Sequence, residues 1–495
     1  MSNVRVTYSG LISLAIGLAS VVTGLIFTLI VTRKLTADEF GTWSLIGGLI
    51  TYVIIIEPII AYWTTREISR GIDSGKTAIM TSAVFSALGI LGYIIVAYIV
   101  SFQTDANLQV LLLASILIPV MFLNRTLTAI NLGWKPEVVS YGILSFEIIK
   151  IPIALILVYY LNLGIEGAII TTALAHLTSV IILAIYARDK IKGELKKLFV
   201  KKWLKLSWLP LYPGFGSLVF TLDVMVFTII IGSVEGLAFW AVAIAISNLV
   251  VHSGSFSRAL YPKLLQGGKQ EHLEENLIRF FYFAIPLTVI SMVFAKPGLF
   301  ALNPIYEIAV PVVIFMSLRA FFNTLSTVFA SSISGIEKVD MDKQSTFKDY
   351  IKSKLFLIPT LQLIQYSIYI GSLVIVLLIT KSYESQINLI IYWAVLALVI
   401  QIPFTIYYLK IVKMNFTLNL DYKSLTKYVL VSITVFSAIY LIMDEYLIYK
   451  NNIFEFLPNL ILYAGIGVLI YLGITYFIDP RTKKLIHSVI NELKK

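Results

Sequence analysis

Apolar residues in this chain come in blocks of roughly 18 to 26, separated by short polar stretches, and the pattern recurs from end to end. A helix of about 20 apolar residues crosses a hydrocarbon core of roughly 30 Å, so the blocks predict about fourteen transmembrane helices and an all-α polytopic membrane protein. The first six spans are expected near 9–32, 41–63, 77–101, 108–131, 137–161 and 165–187. The next six are expected near 207–231, 236–257, 278–296, 306–332, 355–380 and 388–410, and a last pair near 427–443 and 457–478. The repetition excludes a soluble fold.

Composition agrees with the pattern. Apolar residues make up 58% of the chain, charged residues 14%, and the mean hydropathy is +0.87, whereas a soluble domain carries about a quarter charged residues. The net charge of +11 reports topology rather than nucleic-acid binding. With Met1 inside, the inner segments hold about 30 of the 39 Lys and Arg and the outer ones about five; the positive-inside rule therefore places both ends in the cytoplasm. The first apolar run, Gly10 to Val31, is too long for a signal-peptide core and has no small-residue cleavage site after it, so it is expected to remain as a span. The chain has no cysteine and its four histidines are dispersed, which argues against disulfides, thiolate chemistry and a metal centre.

The pattern divides the chain into an N-terminal lobe of six spans (1–190), a basic linker (191–206), a second lobe of six (207–411), an added pair of spans (412–479) and a basic tail (480–495). The halves resemble each other. LTADEFGTWSLIGGLI (35–50) and IGSVEGLAFWAVAIAI (231–246) both set an acid, Glu39 or Glu235, and a glycine before Trp43 or Trp240. Span four ends in Asn131-Leu-Gly133-Trp-Lys135 and span ten in Ile333-Ser-Gly335-Ile-Glu-Lys338. Two matching six-helix halves imply pseudo-symmetry about an axis along the membrane normal. In the linker, Leu195, Leu198, Phe199, Trp203 and Leu206 fit one helical face amid eight basic residues between Arg188 and Lys205, the pattern of an amphipathic helix on the inner leaflet. No loop is large enough for a nucleotide-binding domain and no P-loop run occurs.

Ionisable residues within spans are the sharpest chemical signal, because each costs about 2.5–3.5 kcal/mol at a helix centre on insertion scales. They are Glu57, Arg125, Glu147, Lys150, His176, Asp223, His252 and Arg319. Glu147 and Lys150, three apart, can neutralise each other or meet a substrate. Glu57 precedes Pro58, where a kink exposes backbone carbonyls. Asp223 suits either a coupling cation or a neighbouring basic residue. Arg319 belongs to a polar stripe with Asn323, Ser326, Thr327, Ser331 and Ser334, which must face protein or water rather than acyl chains. Ser13, Gly17, Ser20, Gly24 and Thr28 form a face of small residues on span one, suited to close packing or to lining a wet cavity. Thr36-Ala-Asp38-Glu39 reads as a helix-capping box, with a glycosyltransferase-like loop carboxylate as the other reading.

The segment TRKLTADEFGTWSL (32–45) resembles the leucine, acidic turn, aromatic-Gly, aromatic-Ser-Leu pattern of Wzx-type polysaccharide-biosynthesis flippases. These belong to the multidrug/oligosaccharidyl-lipid/polysaccharide (MOP) superfamily. The run Ser257-Arg-Ala-Leu-Tyr-Pro262-Lys263-Leu is similar to their Pro-Lys-x-Leu signature, and the six-plus-six-plus-two plan covers the whole chain. The resemblance implies two lobes around a central cavity, lined by spans one, two, seven and eight, with the last pair of spans forming a groove for a polyprenyl tail. It implies a flippase, not an enzyme, moving a polyprenyl-(pyro)phosphate-linked oligosaccharide from the inner to the outer leaflet of the cell membrane by alternating access, as a monomer and without a cofactor. A cation-coupled drug antiporter of the same superfamily and a membrane glycosyltransferase are the alternatives. On this reading Arg319, Arg125, Lys150 and Arg258 are the expected head-group cations. Ser20, Gly24, Asn248, His252, Asn323 and Thr327 are expected to line the cavity, and Asp223 and Glu57 are the candidates for a coupling sodium ion or proton. Relatives with a sodium site draw its ligands from spans seven, eleven and twelve. Here spans eleven and twelve offer only neutral groups such as Gln365.

Overall fold

The computed structural model describes residues 20, 22–257, 270–337, 339, 347–418, 421–450 and 452–484. Among these, regular structure is entirely helical. Twelve helices are long and apolar enough to cross a membrane, and a bent pair makes a thirteenth. The described part of the first span, α1, is helical over 22–34. It is followed by α2 (Ala37–Ile54), α3 (Pro58–Ser69), α4 (Gly75–Gln103), α5 (Leu108–Trp134), α6 (Pro136–Tyr160) and α7 (Gly164–Ile191). The linker forms a short helix, α8 (Lys197–Lys205), before α9 (Trp208–Ile231) and α10 (Glu235–Val251). The remaining spans are α11 (Gln270–Val293), α12 (Val310–Gly335), α13 (Lys354–Thr380), α14 (Gln386–Asn415), α15 (Tyr422–Tyr446) and α16 (Ile453–Ile478). Each coincides with an apolar block of the sequence.

Local chemistry accounts for the punctuation. The Thr36 hydroxyl accepts the Glu39 N–H at 3.2 Å, and a Glu39 carboxylate oxygen accepts the Thr36 N–H at 2.9 Å, so the capping box at the start of α2 is complete. This carboxylate is committed to the cap. Pro58 cannot donate a backbone hydrogen bond, and the second span bends by 56° where α2 hands over to α3. Gly41, one turn into α2, lies so close to the α9–α10 turn that a Cβ there would sit 1.9 Å from the Val234 carbonyl oxygen; only glycine fits.

The chain forms two compact units. One comprises Met1–Ala238 with Leu373–Lys381, so α9 belongs with the helices of the first six spans; the other comprises Phe239–Ser372 and Ser382–Lys495. In the first unit, Ile68 of α3, Leu127 and Ile130 of α5, Val138 of α6 and Leu183 of α7 form a buried cluster. In the second, α15 and α16 are fastened to α11. Tyr282, Phe436, Tyr471 and Phe456 share one core, the Tyr471 hydroxyl donates to the Tyr282 carbonyl at 3.0 Å, and Tyr282 and Thr475 exchange a bond at 3.1 Å. Just past α16, Asp479 accepts bonds from Tyr428, Ser424 and Thr482. Burial pushes its pKa up, but these donors outweigh that and hold it below the ordinary carboxylate value.

Candidate functional site

In the first unit, the ionisable residues of four spans gather around one another. Glu147 and Lys150 lie one turn apart on α6, and the ammonium stands 2.6 Å from the carboxylate, both nearly removed from solvent. The Thr23 hydroxyl of α1 donates to the same carboxylate oxygen. The Lys150 ammonium also lies 4.8 Å from the Phe146 ring centroid and 5.5 Å from that of Phe27, within cation–π range. Phe146 in turn packs at 4.5 Å against the His176 ring of α7. Arg125 of α5 exerts its charge on both His176 and Glu57, the residue at the bend of the second span. Beside it, the Asn124 amide donates to the Ser179 hydroxyl at 2.8 Å.

The members of this constellation differ in access. Glu57 is 3% exposed, and one of its carboxylate oxygens has no hydrogen-bond partner among the described residues. Lys150 is buried and held by Glu147, so it would have to leave that pair to meet a ligand. Arg125, in contrast, has an exposed side chain although it lies well inside a span. A guanidinium there either snorkels along its helix to the inner interface or faces water or a polar ligand. On α1, Ser20 carries a buried hydroxyl without a partner among the described residues, and the space a Cβ would occupy at Gly24 is open. The small-residue face is thus not closed by packing at Gly24. Ser13 and Gly17 lie outside the described residues.

The second unit holds the polar stripe of α12, and the structure divides it. Ser326 turns inward and shares a bond with the Thr405 hydroxyl at 2.8 Å. Gln401 donates to Ser326 at 3.1 Å and accepts from Gln365 at 2.8 Å. This neutral network ties α12, α13 and α14 together. Arg319 is half-buried with Tyr366 of α13 in reach of its charge, Asn323 is half-buried, and Thr327 is exposed. On α10, Asn248 is exposed. The helix then tightens into a 3₁₀ turn, His252–Ser257, which packs against α12, with Gly254 beside Thr324 and His252 exposed. Asp223 of α9, in the first unit, is buried; its carboxylate accepts the Val224 N–H at 2.8 Å, and Tyr52 lies within its electrostatic reach. Arg258 lies outside the described residues. Among the described residues no group of three or more His, Asp or Glu could hold a metal ion.

Residue-by-residue reading of the chain missed Thr23, Ser179, Gln401 and Thr405. Gln401 and Thr405 sit four apart on an otherwise apolar helix, a signal that could have been found. Thr23 and Ser179 gain their importance only from partners 124 and 55 residues away.

The chain is therefore a multi-pass membrane protein. No family model matches its sequence and no curated protein matches it in sequence. Its fold is that of MOP-superfamily transporters. It is similar to the lipid II flippase MurJ in an inward closed conformation, with a TM-score of 0.63 and 16% identity over 94% of this chain and 99% of that one. It is also similar to an inward-facing multidrug-resistance MATE-family transporter, with a TM-score of 0.59 and 13% identity over 82% of this chain and 98% of that one.

Proposed function

We propose that this chain is a flippase for a polyprenyl-(pyro)phosphate-linked oligosaccharide, moving it from the inner to the outer leaflet by alternating access. The observation that carries this reading is an intramembrane guanidinium in each unit, Arg125 and Arg319, accessible in one case and half-buried in the other. A phosphorylated head group needs such a partner when it crosses the level where water is scarcest. The fold shared with a lipid II flippase over almost the whole chain supports the same reading. The MATE-family likeness supports a second one, export of a drug or other small molecule by a cation-coupled antiporter. The two separate in a reconstituted vesicle assay: fluorescent lipid-linked oligosaccharide should become accessible on the far leaflet only when the protein is present. Failure to move it, with uptake of cationic dyes instead, would favour the antiporter.

Two expectations accompany the proposal. With both ends inside, a cysteine at Thr104 or Ser382 should react with an impermeant thiol reagent added to intact cells, while one at Gly193 should not. The native chain has no cysteine to obscure the result. Labelling at 193 from outside would overturn the orientation. If Asp223 binds the coupling cation, Asp223→Asn should remove the dependence of transport on a sodium or proton gradient while the protein stays folded. Undiminished gradient dependence would exclude that role and leave Glu57 as the acid to test.

A further inference from the structure

The linker helix α8 has two unlike faces. Trp203 is 1% exposed and packs on Ile59 and Ile60 of α3 and Ala78 of α4. Its indole N–H donates to Glu67 of α3 at 3.2 Å, and the Lys202 ammonium stands 3.4 Å from the same carboxylate oxygen. The Glu67 carboxylate is itself buried, so this bond and ion pair clamp α8 to α3. The other face is open. Leu198 is 74% exposed, Leu204 and the flanking Leu195 are exposed as well, and Lys197, Lys201 and Lys205 make no ion pair among the described residues. The predicted apolar stripe is therefore split: Trp203 faces protein and the leucines face outward.

The position of α8 limits what can cover that open face. It follows the apolar α7 after a five-residue connection and leads, within three residues, into α9, which begins with an exposed Trp208. A helix strung between two spans at that spacing lies at the boundary of hydrocarbon and head groups. Exposed leucines suit the acyl side of that boundary, and unpaired ammonium groups suit phosphate. A soluble macromolecule would leave the leucines against lipid with nothing gained. The clamp adds a consequence, because α3 is the part of the second span beyond the 56° bend.

We propose that α8 is a binding surface for anionic phospholipid head groups, clamped through Trp203 and Glu67 to the far half of the bent second span, so that the charge of the leaflet acts on the position of α3. The proposal is independent of which cargo the chain carries. The test uses the full chain with Leu198→Cys as its sole cysteine, labelled with an environment-sensitive fluorophore and reconstituted in phosphatidylcholine vesicles with or without phosphatidylglycerol. With phosphatidylglycerol the emission should shift to the blue and become shielded from aqueous iodide, and added salt should reverse the change. Changing Lys197, Lys201 and Lys205 to glutamine should weaken the blue shift at a fixed phosphatidylglycerol fraction, the equilibrium constant for lipid engagement falling by roughly fivefold per lysine. A label at Ser69→Cys, at the end of α3, should respond to phosphatidylglycerol too. Trp203→Phe, which keeps a ring in place and removes the indole donor, should weaken the response at 69 and leave that at 198. Identical emission at 198 in both vesicles, or a response that salt does not alter, would overturn the lipid surface. A silent label at 69 would overturn the coupling to α3.

Discussion

Lys150→Met should lower the stability of the purified protein by about 3–5 kcal/mol, because it strands the Glu147 carboxylate in a site that solvent barely reaches. The Thr23 hydroxyl would remain as a donor to that carboxylate, but a single neutral donor does not replace an ammonium at 2.6 Å. The expected readout is a large fall in the apparent melting temperature in detergent. Glu147→Gln combined with Lys150→Met should restore most of it, since the pair is then removed together and Thr23 still meets an amide oxygen. A single variant as stable as the parent would show that the charge is compensated elsewhere. The double variant also separates packing from transport. If Lys150 leaves Glu147 to hold a phosphate during the cycle, the double variant will be stable and inactive.

Arg319→Ala should abolish translocation of lipid-linked oligosaccharide, and Arg319→Lys should reduce it at least tenfold while expression and stability stay near the parent's. The guanidinium can meet a phosphate with two parallel hydrogen bonds, which an ammonium cannot reproduce in the same geometry. Charged hydrogen bonds of this kind contribute about 1.5–3 kcal/mol each, so losing one of two gives the expected reduction. A role in packing alone predicts a different pattern. Lysine would preserve an ion pair and alanine would lower the melting temperature. Wild-type flipping by Arg319→Ala would remove Arg319 as the head-group ligand.

The contrast between α6 and its surroundings shows how far a linear reading of the chain can go. Glu147 and Lys150 are three residues apart on a helix, so their meeting follows from helical geometry alone. The same holds for Thr36 with Glu39 and for the break at Glu57-Pro58. The magnitude of the bend, 56°, depends on how α3 packs against its neighbours and is not a property of proline itself. On α12 the sequence places Arg319, Ser326 and Thr327 on one polar stripe. That they part company, with Ser326 turned to Gln401 and Thr405 and Thr327 left open, depends on where α14 lies. The linker behaves likewise: its amphipathic pattern is visible in the chain, but the choice of Trp203 as the buried anchor required Glu67, 136 residues away.

The sequence by itself determined the all-helical, multi-pass character of the chain and the capping box at Thr36, because each depends on interactions within one turn of helix or on the length of chain needed to cross a bilayer. Only the tertiary structure decided which intramembrane charges are paired and which are open. Apolar periodicity in lipid does not say which face of a helix meets protein, since acyl chains and leucine side chains are equally apolar. Thr23 joined to Glu147, Arg125 left accessible beside Glu57 and His176, and α8 clamped to α3 are all outcomes of helix packing between segments far apart in the chain.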